Sequence, residues 1–181
     1  MSDHTGIEWT DATWNPIRGC TRVSEGCRNC YAEAVAARFS GEGQPYEGLV
    51  KMTTAGPRWT GKVAFIEKHL RDPIRWRKPK RVFVNSMSDL FHDAVSDSML
   101  DKIFAVMAMS ATYRRGHVFQ ILTKRPERMR DYLRQDRRGE IADMVQEIGY
   151  DEDCACAVTN SLNGVLAHGC NAGWPMRNVW L

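Results

Sequence analysis

The chain has 181 residues, 43% hydrophobic and 26% charged, which is ordinary for a folded globular domain and excludes a wholly disordered one. Its apolar runs fall short of the roughly 18 residues a membrane helix needs. Residues 1–6 carry neither the basic stretch nor the apolar core of a secretion signal, so a cytoplasmic protein without membrane contact is expected.

In chain order, residues 12–16 suit a short strand closed by Pro16, which cannot donate to a ladder. A cysteine-bearing loop follows. Residues 31–39 then read as a helix, with Ala32, Val35, Ala36 and Phe39 at i, i+3, i+4 and i+7. Residues 40–61 are rich in Gly, Pro and Thr and read as an irregular excursion. Val82, Phe83 and Val84 suit a buried strand. Ser96 can cap a helix whose inner face carries Leu100, Ile103, Phe104, Met107, Ala108 and Ala111, and Gly116 ends that unit. Residues 118–122 read as another buried strand. Pro126 suits the first turn of a helix carrying Met129, Tyr132 and Leu133. A further helix fits 140–148, with Ile141, Met144, Val145 and Ile148 in register, and 178–181 opens one more strand.

Alternation of strand and helix predicts an α/β fold built as one domain over 1–181, with a parallel sheet and helical crossovers. Such folds put their chemistry at the C-terminal ends of the strands. The polar segments around Cys20–Cys30, Asn85–His92 and Thr123–Arg125 each follow a predicted strand.

Six cysteines in a chain without an export signal point to metal or redox chemistry rather than disulfides. Cys20, Cys27 and Cys30 form a C-x6-C-x2-C loop that opens a helix, whose N-terminus favours thiolate charge. Gly19 and Gly26 allow the backbone to turn beside the cluster. Three thiolates leave one open position in a four-iron cluster or a zinc site. Structural zinc would be closed by His4, His92 or a distant cysteine, and three unrelated buried thiols are the plainest alternative. Cys154, Cys156 and Cys170, with His168 nearby, have spacings that favour ordinary thiols over a second metal site.

The formal charge of +3 is uneven. Residues 68–81 carry seven Lys/Arg against one acid, and residues 114–138 carry nine against three. Such runs suit nucleic-acid phosphates, with Trp76 as a stacking surface for a base, or else a solvated face. His117 is expected to pack and His69 to face solvent.

Taken together, the motifs resemble a known family. They are Ile7-Glu8-Trp9-Thr10-Asp11-Ala12-Thr13-Trp14-Asn15-Pro16, the cysteine loop with Gly26-Cys27-Arg28-Asn29-Cys30-Tyr31-Ala32, Arg75-Trp76-Arg77-Lys78-Pro79, and Val82-Phe83-Val84-Asn85-Ser86-Met87-Ser88-Asp89-Leu90-Phe91-His92. Leu122-Thr123-Lys124-Arg125-Pro126-Glu127-Arg128, Gly173-Trp174-Pro175 and Asn178-Val179-Trp180-Leu181 complete the series. This is similar to the phage-encoded three-cysteine-motif family, a domain of unknown function with radical-SAM-like features.

The resemblance implies a partial (β/α) barrel of radical-SAM type, incomplete at the C-terminus, since relatives continue past Leu181 with further strands. It implies a [4Fe–4S] cluster on Cys20, Cys27 and Cys30, with S-adenosylmethionine on the fourth iron and reductive cleavage to methionine and a 5′-deoxyadenosyl radical. Asn85, Ser86, Ser88 and Asp89 would receive the methionine amino group. Thr123, Lys124 and Arg125 would hold a carboxylate, ribose or phosphate. The expected function is a radical enzyme of a phage or prophage acting on nucleic acid, with a methyltransferase-like three-cysteine-motif protein as a partner. The competing expectations are a non-catalytic zinc- and nucleic-acid-binding module, or an inactive shortened remnant.

Overall fold

Val82, Phe83 and Val84 lie in a four-residue strand, β6 (Arg81–Val84), at the heart of the protein's main sheet. A computed structural model describes residues 5–112, 116–148, 176 and 179–181 of the chain. His4, His168, Cys154, Cys156, Cys170, the Gly173–Pro175 motif and the basic residues Arg114 and Arg115 lie outside the described residues.

Before β6 come β1 (Ala12–Trp14), β2 (Ile17–Arg18), α1 (Tyr31–Ala37), β3 (Val50–Thr53), β4 (Gly56–Trp59), β5 (Ala64–Phe65), α2 (Glu67–Leu70) and α3 (Asp72–Arg75). After it come α4 (Asp97–Thr112), β7 (Val118–Ile121), α5 (Pro126–Leu133), α6 (Arg138–Glu147) and β8 (Val179–Trp180). The main sheet has the order β1-β6-β7-β8, and every pairing is parallel. The strand order therefore follows chain order without reversal. The sheet is open, and no barrel is closed among the described residues. No helix among them is long and apolar enough to cross a membrane.

The two faces of this sheet differ. Trp14, Val82, Val84, Phe119 and Ile121 pack into one apolar cluster with residues of α3, α4, α5 and α6. On the other face, Phe83 meets the Trp9 ring at 4.8 Å, and Phe83 and Gln120 border two separate cavities. The alternation follows from the strand period of two.

Helix α4 begins as its cap residue dictates: the Met99 N–H donates to Ser96 Oγ at 3.3 Å. Its expected inner residues from Leu100 to Ala108 are buried, yet so are Asp101, Ala105, Val106, Met109 and Ser110. The helix is enclosed because α2, α3 and α6 all pack against it. Asp101 tolerates burial by accepting hydrogen bonds from Tyr132 and Arg137.

Three expectations are corrected. The excursion at 40–61 contains an antiparallel hairpin, β3 with β4, registered Val50↔Trp59 to Thr53↔Gly56. Its strand β3 is mostly exposed, so burial leaves no alternating signal in its sequence. Phe39 falls beyond the end of α1 and is 47% exposed. His69 is half-buried rather than solvent-facing, with Nδ1 3.0 Å from Asp72 Oδ2, and its carbonyl accepts from the Trp14 indole. His117 does pack: it is fully buried, Nδ1 accepts the Lys80 N–H, and Nε2 lies 3.1 Å from the Pro73 carbonyl.

Candidate functional site

Strands β1, β6 and β7 run parallel, so the segments that leave their C-terminal ends emerge on one side of the sheet. These segments are the cysteine loop, residues 85–92 and residues 122–125. Gly19 extends the pairing past β1 through a parallel bridge to Ser88. Its φ of +87° and the carbonyl of Lys62, which an added Cβ would meet at 2.2 Å, admit only glycine. Gly26 serves differently, through a close approach to Lys124 Cε.

Together these segments enclose a cavity of about 240 Å³ bordered by Cys20, Cys27 and Cys30, by Asn85, Ser86, Ser88 and Asp89, and by Lys124 and Arg125. Every cysteine of the loop thus reaches one space. So do five of the six residues expected from the sequence to bind cofactor. The sixth, Thr123, stands just behind, donating to Asp89 Oδ1 at 2.7 Å.

Several of these residues hold the site together. Asp89 is buried, and its carboxylate accepts from Thr123, from the backbone N–H groups of Phe91 and Lys124, and from Arg125 at 3.2 Å. With its charge matched inside the protein, it ties the end of β6 to the end of β7. Ser88 Oγ donates to the Ile17 carbonyl, and Ser86 Oγ donates to Asn15 Oδ1. The Tyr31 hydroxyl donates to the Ser86 carbonyl, fixing the helix that follows Cys30.

Sequence reasoning overlooked a second anchor. Glu33 of α1 is buried and accepts from Arg22 of the cysteine loop and from the Trp59 N–H of the hairpin, with Arg58 at 3.8 Å. The hairpin thus helps to hold the cysteine loop. The signal was present: a carboxylate between Ala32 and Ala36 on the buried arc of a short helix demands a buried partner.

The electrostatics are uneven across the thiols. Burial pushes the Cys20 thiol up, opposed by Arg125, whose Nη1 lies 4.0 Å from the sulfur. For Cys27 burial also acts upward, but backbone hydrogen bonds at Val23 and Ser24, the Ser24 hydroxyl and the charge of Lys124 hold the thiol below its ordinary value. Cationic neighbours favour thiolates, the form that binds metal.

His92 does not complete a metal site. Its Nδ1 accepts the Ala94 N–H, so the proton of the neutral ring sits on Nε2, 2.8 Å from Thr21 Oγ1. Burial and the nearby Arg125 lower its pKa and keep it neutral. Among the described residues no three His, Cys, Asp or Glu side chains gather around a single ion position. Thiolates on one zinc stand about 3.8 Å apart, given Zn–S bonds of about 2.3 Å at tetrahedral angles. Thiolates on separate irons of a cluster stand further apart. The donor set of three thiols around one cavity, with cations beside two of them, has the chemistry that a thiolate-held metal group needs.

The basic runs are less available than their composition suggests. In 114–138, Arg125, Arg128, Arg130, Arg137 and Arg138 pair with Asp89, Asp97, Asp131, Asp101 and Asp136. Trp76 is partly buried against the core, with the His117 ring edge-on at 5.8 Å and Lys80 over its face. It is a packed residue rather than an open stacking platform. In 68–81, Lys68, Arg71, Arg77 and Lys78 are exposed.

The model of the family described as "Protein of unknown function (DUF5131)" matches residues 4–181. No curated protein and no solved structure matches the chain.

Proposed function

The chain belongs to that family of unknown function, and from this premise we propose that it is an iron–sulfur, S-adenosylmethionine-dependent radical enzyme. The observation that carries the reading is the convergence of Cys20, Cys27 and Cys30 on one cavity at the C-terminal ends of parallel strands. Those three thiols would hold a [4Fe–4S] cluster. Bound there, the cluster would supply an electron to cleave the sulfonium of S-adenosylmethionine.

The chain's own groups have separable tasks in this reading. Arg125 and Lys124 offset the thiolate charge. Asp89, Ser86 and Ser88 hold the surrounding loops, and Glu33 fixes the cysteine loop through Arg22. Asn85 and the exposed cavity atoms contact the small molecule. The fold supports a partial (β/α) barrel. A doubly wound sheet reverses its strand order and takes helices on both faces, whereas this sheet runs in chain order and gathers α2 to α6 on one. Lys68, Arg71, Arg77 and Lys78 give a nucleic-acid partner its phosphate contacts.

Anaerobic reconstitution tests the reading. The expected outcome is about four irons and four sulfides per chain, brown colour, and 5′-deoxyadenosine after reduction with S-adenosylmethionine. Stoichiometric zinc without iron would sink it.

A further inference from the structure

Resting on the cofactor reading above, we infer that the part of the cavity at Asn85 is a subsite for a ligand carboxylate, with Asn85 Nδ2 as its neutral donor and Lys124 as its cation. Asn85 directly follows β6, is 3% exposed and borders the cavity. It is the sole non-glycine residue with positive φ among the described residues, at 58°, a conformation that asparagine tolerates and most side chains do not. The backbone is held there by the Asn85 N–H donating to the Trp14 carbonyl at 2.8 Å.

The amide's orientation is fixed by its neighbours. Asn85 Oδ1 accepts the Ile17 N–H at 3.4 Å, so the other terminus of the amide must be the NH2 group. That Nδ2 is buried and has no hydrogen-bond partner among the described residues. A buried donor without an acceptor is costly, and its survival in a strained position beside a cavity points to a ligand.

The surroundings decide which ligand chemistry. Asp89, the nearest carboxylate along the chain, is saturated by Thr123, Lys124, Phe91 and Arg125, so it offers no charge to a ligand ammonium. Ser86 and Ser88 already donate their hydroxyl hydrogens within the protein. Among the groups that face an incoming molecule are the Asn85 amide donor, the Asn29 amide and the cations of Lys124 and Arg125, so donors outnumber acceptors. Donors call for an acceptor-only group, which a carboxylate is. The methionyl carboxylate of S-adenosylmethionine, rather than its amino group, therefore belongs at the end of β6.

Equilibrium dialysis of anaerobically reconstituted protein with S-adenosylmethionine and with its decarboxylated analogue tests this. Asn85→Asp keeps the acceptor for Ile17 and suits the left-handed backbone, but replaces the donor with a negative oxygen. Its affinity for S-adenosylmethionine should fall about thirty-fold, equivalent to about 2 kcal/mol, while the analogue binds within about threefold of wild type. Asn85→Gly, which relieves the backbone, should show the same selectivity at about ten-fold. Unchanged binding of S-adenosylmethionine in both variants, or equal weakening of both ligands, overturns the inference and leaves the cofactor reading standing. A wild-type protein that binds neither ligand overturns both.

Discussion

The helix-covered face of the main sheet and the segment from Asn15 to Thr60 are built by different forces. On the sheet, Trp14, Val84, Phe104, Phe119, Tyr132 and Ile141 form a continuous apolar cluster. Around the cysteines the apolar cluster is small, essentially Ala32, Ala36, Tyr46, Leu49, Trp59 and Met87. Two buried polar ties, Glu33 with Arg22 and Asp89 with Arg125, and the forced backbone angle of the glycine at position 19 make up the rest. Apolar packing tolerates approximate shapes, whereas hydrogen-bonded charges and forced backbone angles hold atoms to a fraction of an ångström. The scaffold supplies stability and the cysteine region supplies placement.

That contrast can be broken at its strictest point first. Gly19→Ala drives a Cβ into the Lys62 carbonyl and should cost more than about 4 kcal/mol in urea unfolding, enough to prevent folding. Soluble protein of near wild-type stability would mean that the loop shifts freely and places nothing.

Phe104→Ala probes the other half. Emptying a fully buried aromatic site should lower stability by about 4 kcal/mol. Iron content per folded molecule should stay unchanged, and a proportional loss of iron would dissolve the distinction between the regions.

Glu33→Gln should cost less than either. Removing the charge leaves Arg22 half-buried against a neutral amide, at a cost of about 3 kcal/mol. The expected signature is local: faster alkylation of Cys20, Cys27 and Cys30 and faster amide exchange in the hairpin, with α4 protected as before.

The smallest effect belongs to Asp11, at the rim of the main sheet. Arg81 hydrogen bonds hold its carboxyl at about 2. A carboxyl depressed below its unfolded value of about 3.9 contributes fully above that pH, and the contribution is lost as pH falls through about 2. Both partners are well exposed, so Asp11→Asn should cost at most about 1 kcal/mol at neutral pH and flatten the acid limb of the stability curve. A larger loss would make this edge contact part of the scaffold proper.

Periodicity made the sheet region readable. Val82–Val84, the Ser96 cap and the Pro126 start all lie where local rules put them, because burial and capping act over a few residues. The hairpin at 50–59 left no such trace, since β3 is mostly exposed and β4, which fully buries only Trp59, opens with Gly56 and Pro57, residues that disfavour strands. Site residues were legible as types and positions, but their tasks were not. Nothing in the neighbourhood of Asp89 in the sequence says that Arg125, 36 positions later, neutralises it, or that the acids meeting Arg128 and Arg137 lie about thirty residues earlier.

The sequence by itself determined the alternation of strands and helices, the three thiols of one loop and the polar segments behind each strand, because these depend on spacing along the chain. Only the tertiary structure decided which charges are already matched, that Trp76 is packed away and that Asn85 keeps a buried donor without an acceptor. Those outcomes depend on partners brought together from distant positions, and no local pattern encodes a neighbour that folding alone supplies.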